Sequence, residues 1–379
     1  MRRMRNVQIR TMVLHSLRSH SIRTADVFPV VPRGMGNEDG MRALVGDVFR
    51  EGGLMRYGVP YKGSKNQIAE WVVDNLPKAE YFVDLFCGGC AVTHRALISG
   101  KYQRFIINDI DGRMPKLFLD AVHGKYTVEN HPEWVSREEF EARKAEDAYI
   151  ATVWSFGNNK TGYIYGREVE AFKRELHRAV FDGNAEGLRT YGFDVKISGE
   201  SPSERYRVVR EQIKTQRPQR FQIEHEALER LQALERLEAL ERLEALERLE
   251  ALERLEALST DYRNVNIPQD SLIYCDIPYS DTDCEGYGGG EFNHSNFYEW
   301  ARAQDNIFIS EYEMPSDFIE IASTQKMILC GVQNTAKATE RLYTNEKTYS
   351  HMTDRQKRII ALNTAQQLTI MDFLGKEDV

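Results

Sequence analysis

Three stretches of the sequence predict an α/β fold with a nucleotide-binding type of sheet. The apolar, aromatic run Tyr81-Phe-Val-Asp-Leu-Phe86 has strand character, Cys87-Gly-Gly-Cys90 makes a tight turn, and Ala91 to Ile98 reads as helix. A second short strand, Phe105-Ile-Ile107, ends at Asn108-Asp109-Ile110-Asp111. A third, Ser271-Leu-Ile-Tyr-Cys275, runs into Asp276-Ile277-Pro278-Tyr279. A glycine turn between strand and helix lets the backbone approach a ligand closely. Asp109 lies about 20 residues beyond Gly88, the separation at which an acid can accept both hydroxyls of a ribose. The glycines do not fit G-x-G-x-x-G, which disfavours a nicotinamide dinucleotide.

The 379 residues, 41% hydrophobic and 28% charged, suffice for one large core or two smaller ones. No stretch reaches the roughly 18 to 20 apolar residues of a membrane span, so neither an integral membrane protein nor a membrane partner is expected. Five cysteines in so long a chain do not make a disulfide scaffold and point to a reducing interior, hence a cytoplasmic location. No second Cys/His pair has ligand spacing beside Cys87 and Cys90, so no metal site is expected.

The net charge of −8 is unevenly spread. Glu224 to Glu256 holds 11 Glu and 5 Arg, a local balance of −6, which leaves −2 for the rest. Just upstream, the sixteen residues from Arg205 to Arg220 carry Arg205, Arg207, Arg210, Lys214, Arg217 and Arg220 against the single Glu211. A dense basic stretch of this kind suits phosphate contact, although a solvated helix face reads the same way.

Along the chain, residues 1–54 read as a poorly ordered extension. They open with six Arg before the first acid, Asp26, contain no apolar run of signal-peptide length, and end in the linker-like Gly34 to Gly53. Residues 55–165 form the first part of the main domain, 166–222 a mainly helical insertion, 223–259 a repeat segment, and 260–379 the second part with a C-terminal tail. From Ala227 to Leu258 the hexamer Ala-Leu-Glu-Arg-Leu-Glu recurs about five times, with Gln232 as a variant. Its residues are strong helix formers, and Glu238 and Arg242 make a favourable i,i+4 pair. Leucine at every third position drifts about 60° per step around an α-helix, so no coiled-coil seam forms. The segment reads as one long helical spacer, roughly 50 Å if straight, through which copies of the chain could self-associate.

An acid at a strand end, followed by a rigid proline and an aromatic, has a mechanical logic. The carboxylate and the carbonyl of residue 277 can accept from an exocyclic amine, Pro278 fixes the turn, and Tyr279 offers a stacking face for a planar base. With the glycine turn and Asp109 ahead of it in that order, the sequence resembles the adenine-specific DNA methyltransferases of the Dam type, particularly phage-like members, over roughly Met55 to Leu342. Tyr61-Lys-Gly-Ser-Lys65 is similar to the family's N-terminal cofactor motif, Phe82 to Gly89 to its glycine loop, and Asn108-Asp109-Ile110 to its ribose-binding acid. Trp154 to Tyr163 is similar to its polar segment, and Asp276 to Tyr279 to its D-P-P-Y motif.

The resemblance implies a Rossmann-like, S-adenosylmethionine-dependent methyltransferase sheet with an inserted, mainly helical target-recognition region over about Gly166 to Gln222. It implies methyl transfer to the 6-amino group of a flipped adenine in double-stranded DNA, in a bacterial or phage-infected cell. Asp276, Ile277, Pro278 and Tyr279 are the expected catalytic set. Tyr61, Lys65, Asp84, Phe86, Gly88, Asp109 and Asp276 are the expected cofactor contacts, with Phe297 near the cofactor's adenine. His294 reads as structural. Two positions depart from the family: Ile277 where proline is usual, and Cys90 where a second loop glycine is common. A cytosine-amine or protein-glutamine methyltransferase of the same fold is disfavoured by Asp276, since those motifs usually begin with Ser or Asn. A non-catalytic assembly protein using the repeat is the alternative from another class.

Overall fold

Alternation along the strands places the sheet between two apolar layers. In β1 (Tyr81–Asp84) Phe82 enters one core cluster and Val83 the other. In β2 (Arg104–Asn108) Phe105 and Ile107 join Phe82 while Ile106 joins Val83. Burying a side chain such as Phe82, which is fully enclosed, is worth about 1.5–3 kcal/mol. The computed structural model describes residues 57–61, 63–216, 235–249, 252–279, 292–330 and 334–362. The extension read over residues 1–54 lies outside them.

The seven strands among the described residues run in the order β3-β2-β1-β4-β5-β7-β6, with β3 at Leu255–Leu258, β4 at Ser271–Asp276, β5 at Ile307–Glu311, β6 at Ile319–Cys330 and β7 at Asn334–Thr344. β1 to β5 are parallel, whereas β7 is antiparallel to both β5 and β6. The chain builds outward from β1 to β2 and β3, then returns to the other side of β1 for β4. That reversal opens a crevice at the carboxyl ends of β1 and β4, the usual place for a ligand in an open α/β sheet. Tyr81 pairs with Ser271 and Asp84 with Tyr274, so Asp84 and Asp276 both end at that crevice.

Helices α1 (Ala69–Asn75), α2 (Ala91–Ser99) and α3 (Arg113–Val122) pack on the first layer through residues such as Val72, Leu97 and Leu117. Two short helices, α4 (Arg137–Arg143) and α5 (Ala148–Val153), follow, with Ser136 and Asp147 as side-chain caps. Residues 166–216 are mainly helical, carrying α6 (Arg167–Phe181) and α7 (Pro202–Thr215). Their apolar faces, including Phe172, Leu176, Val209 and Ile213, merge with the first layer. α7 begins with Pro202 and a capping box in which Ser201 and Glu204 satisfy each other's backbone N–H.

The repeat is not one long helix. α8 spans only Glu235–Glu244; Ala245–Leu249 and Leu252–Arg254 are 3₁₀ turns, and Leu255–Leu258 is the edge strand β3, paired in parallel with β2. Over ten residues the leucine drift is only about 120°, an arc that one buried side can hold. Leu237, Leu240 and Leu243 are accordingly fully enclosed. A 3₁₀ turn has three residues per turn, so leucines three apart fall in line and Leu246 continues the buried stripe. Pairing with β2 and burial of Leu255 then outweigh a helix propensity worth tenths of a kcal/mol per residue. Among the described leucines of the repeat, Leu237, Leu240, Leu243, Leu246 and Leu255 are buried within the same chain. The repeat residues before Glu235 lie outside the described ones.

The second layer is covered by α9 (His294–Ala303), through Phe297 and Ala301, and α10 (Glu346–His351) follows β7. No described helix is long and apolar enough to cross a membrane.

Candidate active site

Six of the seven expected cofactor residues line one cavity: Tyr61, Lys65, Asp84, Phe86, Gly88 and Asp276. The seventh, Asp109, acts from beneath. One of its carboxylate oxygens accepts from Gly88 N at 2.9 Å, and the other accepts from Asp111 N at 2.9 Å. The acid therefore holds the glycine turn in shape, and burial raises its pKa.

The turn is pressed against Tyr61. A Cβ at Gly89 would stand 2.6 Å from Tyr61 Cβ, and one at Gly88 3.1 Å from the Tyr61 ring. Cys90, where the family commonly has glycine, is in the left-handed region at φ 55° and fully buried, a backbone state that glycine adopts without strain. Lys160, from the polar segment Trp154 to Tyr163, sits 4.9 Å over the Tyr61 ring and pairs with Asp111 at 2.8 Å. That segment is thus brought to the rim of the same cavity.

Lys65 is buried, yet it is a counter-ion. Its Nζ lies 2.6 Å from Asp276 Oδ1 and 3.2 Å from Glu340 Oε1. Burial alone would lower its pKa, but Asp276 and Glu340 together hold it well above the ordinary lysine value. The Tyr279 hydroxyl joins Lys65 to Glu340, accepting from the amine and donating to the carboxylate. Lys65 also stands 4.4 Å over the Tyr279 ring, and Tyr312 packs against that ring at 4.4 Å with a 45° tilt. Glu311 lies close by, and burial, with Asp276 adding, pushes its carboxyl up to about 8. Burial likewise pushes Asp84 up to about 8, opposed by the Thr93 hydroxyl, which donates to it at 2.6 Å.

Behind this cluster, Ile277 is buried and the Pro278 carbonyl accepts from His294 Nε2 at 2.8 Å. The histidine is structural, and what it steadies is the Asp276–Tyr279 turn. Phe297 is fully enclosed and packs at 5.8 Å against Phe86.

The residues that the sequence did not single out are Glu311, Tyr312 and Glu340. A signal for the first exists: Ile307-Phe-Ile-Ser310 is an apolar strand ending in an acid, the pattern that marked Asp276. Glu340 sits mid-strand in β7 with no local mark.

The basic stretch divides. Arg205 is turned inward, donating to the carbonyls of Val180, Glu200 and Phe181 at 2.6, 2.8 and 3.2 Å. Arg207 and Lys214 are exposed, Lys214 pairing with Glu211, and Arg210 lies over Tyr206. Arg217 and Arg220 lie outside the described residues.

The buried polar atoms Ser64 Oγ, Asp84 Oδ1, Glu311 Oε2 and Glu340 Oε2 have no hydrogen-bond partner among the described residues. The first two belong to residues lining the cavity, and the acids Asp276 and Glu340 stand against Lys65 beside it. Such a cavity suits a ligand that brings both donors and positive charge.

Among known proteins, residues 61–172 match the family model for the D12 class N6 adenine-specific DNA methyltransferase. No curated protein matches the chain. The match includes the glycine turn, Asp109 and the polar segment; the sheet adds Asp276 to them from β4, more than a hundred residues beyond its end.

Proposed function

We infer that this chain, an adenine-specific DNA methyltransferase, takes its methyl group from S-adenosylmethionine bound over the Gly88–Gly89 turn and transfers it to the 6-amino group of an adenine swung out of duplex DNA. The observation that carries the reading is the meeting of Asp276 and Tyr279 with the cavity lined by Tyr61, Asp84 and Gly88.

The cofactor supplies an electrophilic methyl carried on a sulfonium. Asp84 and Asp276 face the cavity and favour that positive charge, while Tyr61 bounds it above the turn. Asp109 accepts from the ribose hydroxyls while keeping Gly88 in place. Phe86, backed by the enclosed Phe297, offers an apolar wall for the cofactor's adenine.

For the target base, Lys65 holds one oxygen of Asp276. Asp276 and the Ile277 carbonyl accept from the amino group, turning its lone pair toward the methyl. The amine of adenine is a weak nucleophile because its lone pair is delocalised into the ring. Acceptors that favour a tetrahedral nitrogen bind the transition state better than the ground state. The sulfonium would supply the methyl and leave as a neutral thioether, and the nitrogen's proton would pass to Asp276 and on to water, so Asp276 need not ionise the amine first. Tyr279 supplies the stacking face, from which Tyr312, packed on that ring at 4.4 Å, moves aside to admit the base. Arg207, Arg210 and Lys214 of α7, with Arg217 and Arg220, contact phosphates as part of the target-recognition region.

The test is transfer of isotopically labelled methyl from S-adenosylmethionine to duplex DNA, with the product base identified by mass spectrometry. N6-methyladenine is expected, reduced at least 100-fold in Asp276→Ala. A different methylated base, or full activity in the variant, overturns the reading.

A further inference from the structure

The repeat does six distinct jobs with one hexamer. Residues 237–242, 243–248 and 249–254 are each Leu-Glu-Ala-Leu-Glu-Arg, preceded by Leu-Gln-Ala-Leu-Glu-Arg at 231–236 and His-Glu-Ala-Leu-Glu-Arg at 225–230. Arg236 is buried between Trp154 and Phe181, with Nη1 2.8 Å from His177 Nε2. Arg242, six residues on, donates to the carbonyls of Tyr57 and Gly58, beside the cofactor turn. Glu235 pairs with Lys173 at 3.1 Å, Glu241 accepts from Ser203, and Glu244 accepts from Val128 N at 2.9 Å. Leu237, Leu240, Leu243, Leu246 and Leu255 fill the core.

The C-terminal end of the segment is pinned. Thr260 exchanges two hydrogen bonds with the Asn108 side chain, both 3.0 Å, directly after β3. Because consecutive units have the same sequence, the chain upstream can shift by six residues relative to that anchor and present the same side chain at every packed position.

We propose that the repeat is a register-degenerate element. Whole-unit changes in its length leave the packed segment Glu235–Leu258 unaltered, and the difference in length falls before Glu235. The tolerance has a floor set by the imperfect units. Losing one unit changes a single described position, bringing Gln232 to the half-buried site of Glu238. Losing two units brings His225 to the fully enclosed site of Leu237, Glu224 to the buried site of Arg236, Ile223 to the site of Glu235, and Gln232 to the site of Glu244. A polar ring and a reversed charge in those sites fall among the most destabilising kinds of change. Copy number then acts as a threshold: any gain and a single loss keep the enzyme folded, and a double loss abolishes it.

A half unit provides the control. Three added residues keep leucine at every third position but bring Ala239 to the site of Arg236 and Arg242 to the buried site of Ala239. If only the leucine stripe mattered, this insertion would be harmless.

The experiment measures thermal unfolding and S-adenosylmethionine binding of the full chain and of length variants. Duplicating residues 237–242, or deleting them, is expected to move the melting temperature by less than about 2 °C and leave binding unchanged. Inserting Leu-Glu-Ala before Leu249 is expected to lower it by on the order of 10 °C or prevent folding. Deleting 237–248 should do the same, with recovery when Ile223→Glu, Glu224→Arg, His225→Leu and Gln232→Glu are added. A six-residue duplication as damaging as the three-residue insertion overturns the proposal, and so does a twelve-residue deletion that is harmless or is not recovered. Melting temperature does not depend on which base is methylated, so failure here is separable from failure of the proposed reaction.

Discussion

Replacing Lys65 by methionine removes the ammonium that stands 2.6 Å from Asp276 and 3.2 Å from Glu340. Deleting one partner of a buried ion pair costs about 3–5 kcal/mol, because the remaining charge is left without compensation. Here the two acids are unequal. The Glu340 side chain is wholly enclosed, so its share is felt in full, whereas that of Asp276 is 22% exposed and water screens part of it. The lower half of the range, about 3 kcal/mol, is therefore expected, a fall in melting temperature on the order of 6–12 °C. The deficit should also depend on pH. Two buried carboxylates deprived of their cation take up protons more readily in the folded state than in the unfolded one. The cost is then present above the unfolded carboxylate range near 4 and shrinks as the pH falls towards it. Calorimetry of wild type and Lys65→Met at pH 8 and pH 5.5 reads both effects. A deficit below about 1 kcal/mol that is the same at both pH values would refute the counter-ion role.

Gly58→Ala places a Cβ 2.1 Å from the Gly89 carbonyl at φ +69°, and is expected to cost several kcal/mol; Gly100→Ala, at φ +66° with nothing within 4 Å, isolates the backbone strain and should cost about 1–2 kcal/mol in a melting experiment. Glu311, with its carboxyl raised to about 8 by burial, makes the folded state lose stability as pH rises from the unfolded carboxylate range through that value. Glu311→Gln should therefore gain on wild type between pH 6 and pH 9, as read by thermal melts across that range. Asp109→Ala removes the acceptor for Gly88 and Asp111 N–H, bonds to a carboxylate worth about 1.5–3 kcal/mol. Cofactor affinity measured by calorimetric titration should drop about 10- to 100-fold.

The parts of the fold written in local patterns were legible. β1, β2 and β4 announced themselves as short apolar runs ending in acids, and the turn between β1 and α2 by its glycines. Asp84, Asp109 and Asp276 converge because parallel strands in register end at one edge. What stayed hidden depends on partners far along the chain. Glu340 reaches Lys65 only because β7 runs antiparallel to β5, and no residue near Glu340 in sequence marks that. The repeat misled for the same reason: its composition favours helix, but β2 offers an unpaired edge and the core offers space for leucines. Tertiary contact decided that the hexamer becomes helix, 3₁₀ turn and strand in succession. Arg205 shows the limit for charge patterns, since its spacing matched the basic stretch while its side chain turned inward to three carbonyls.

We propose that Asp276, presented at the crevice between β1 and β4, carries the methylation of adenine in DNA. Its most direct test is to express wild type and Asp276→Ala in cells lacking adenine methylation and to map modified bases across the genome by single-molecule sequencing. The expected result is N6-methyladenine at a defined short motif with wild type and none with the variant. No methyladenine with wild type, or the same motif methylated by both, would contradict it.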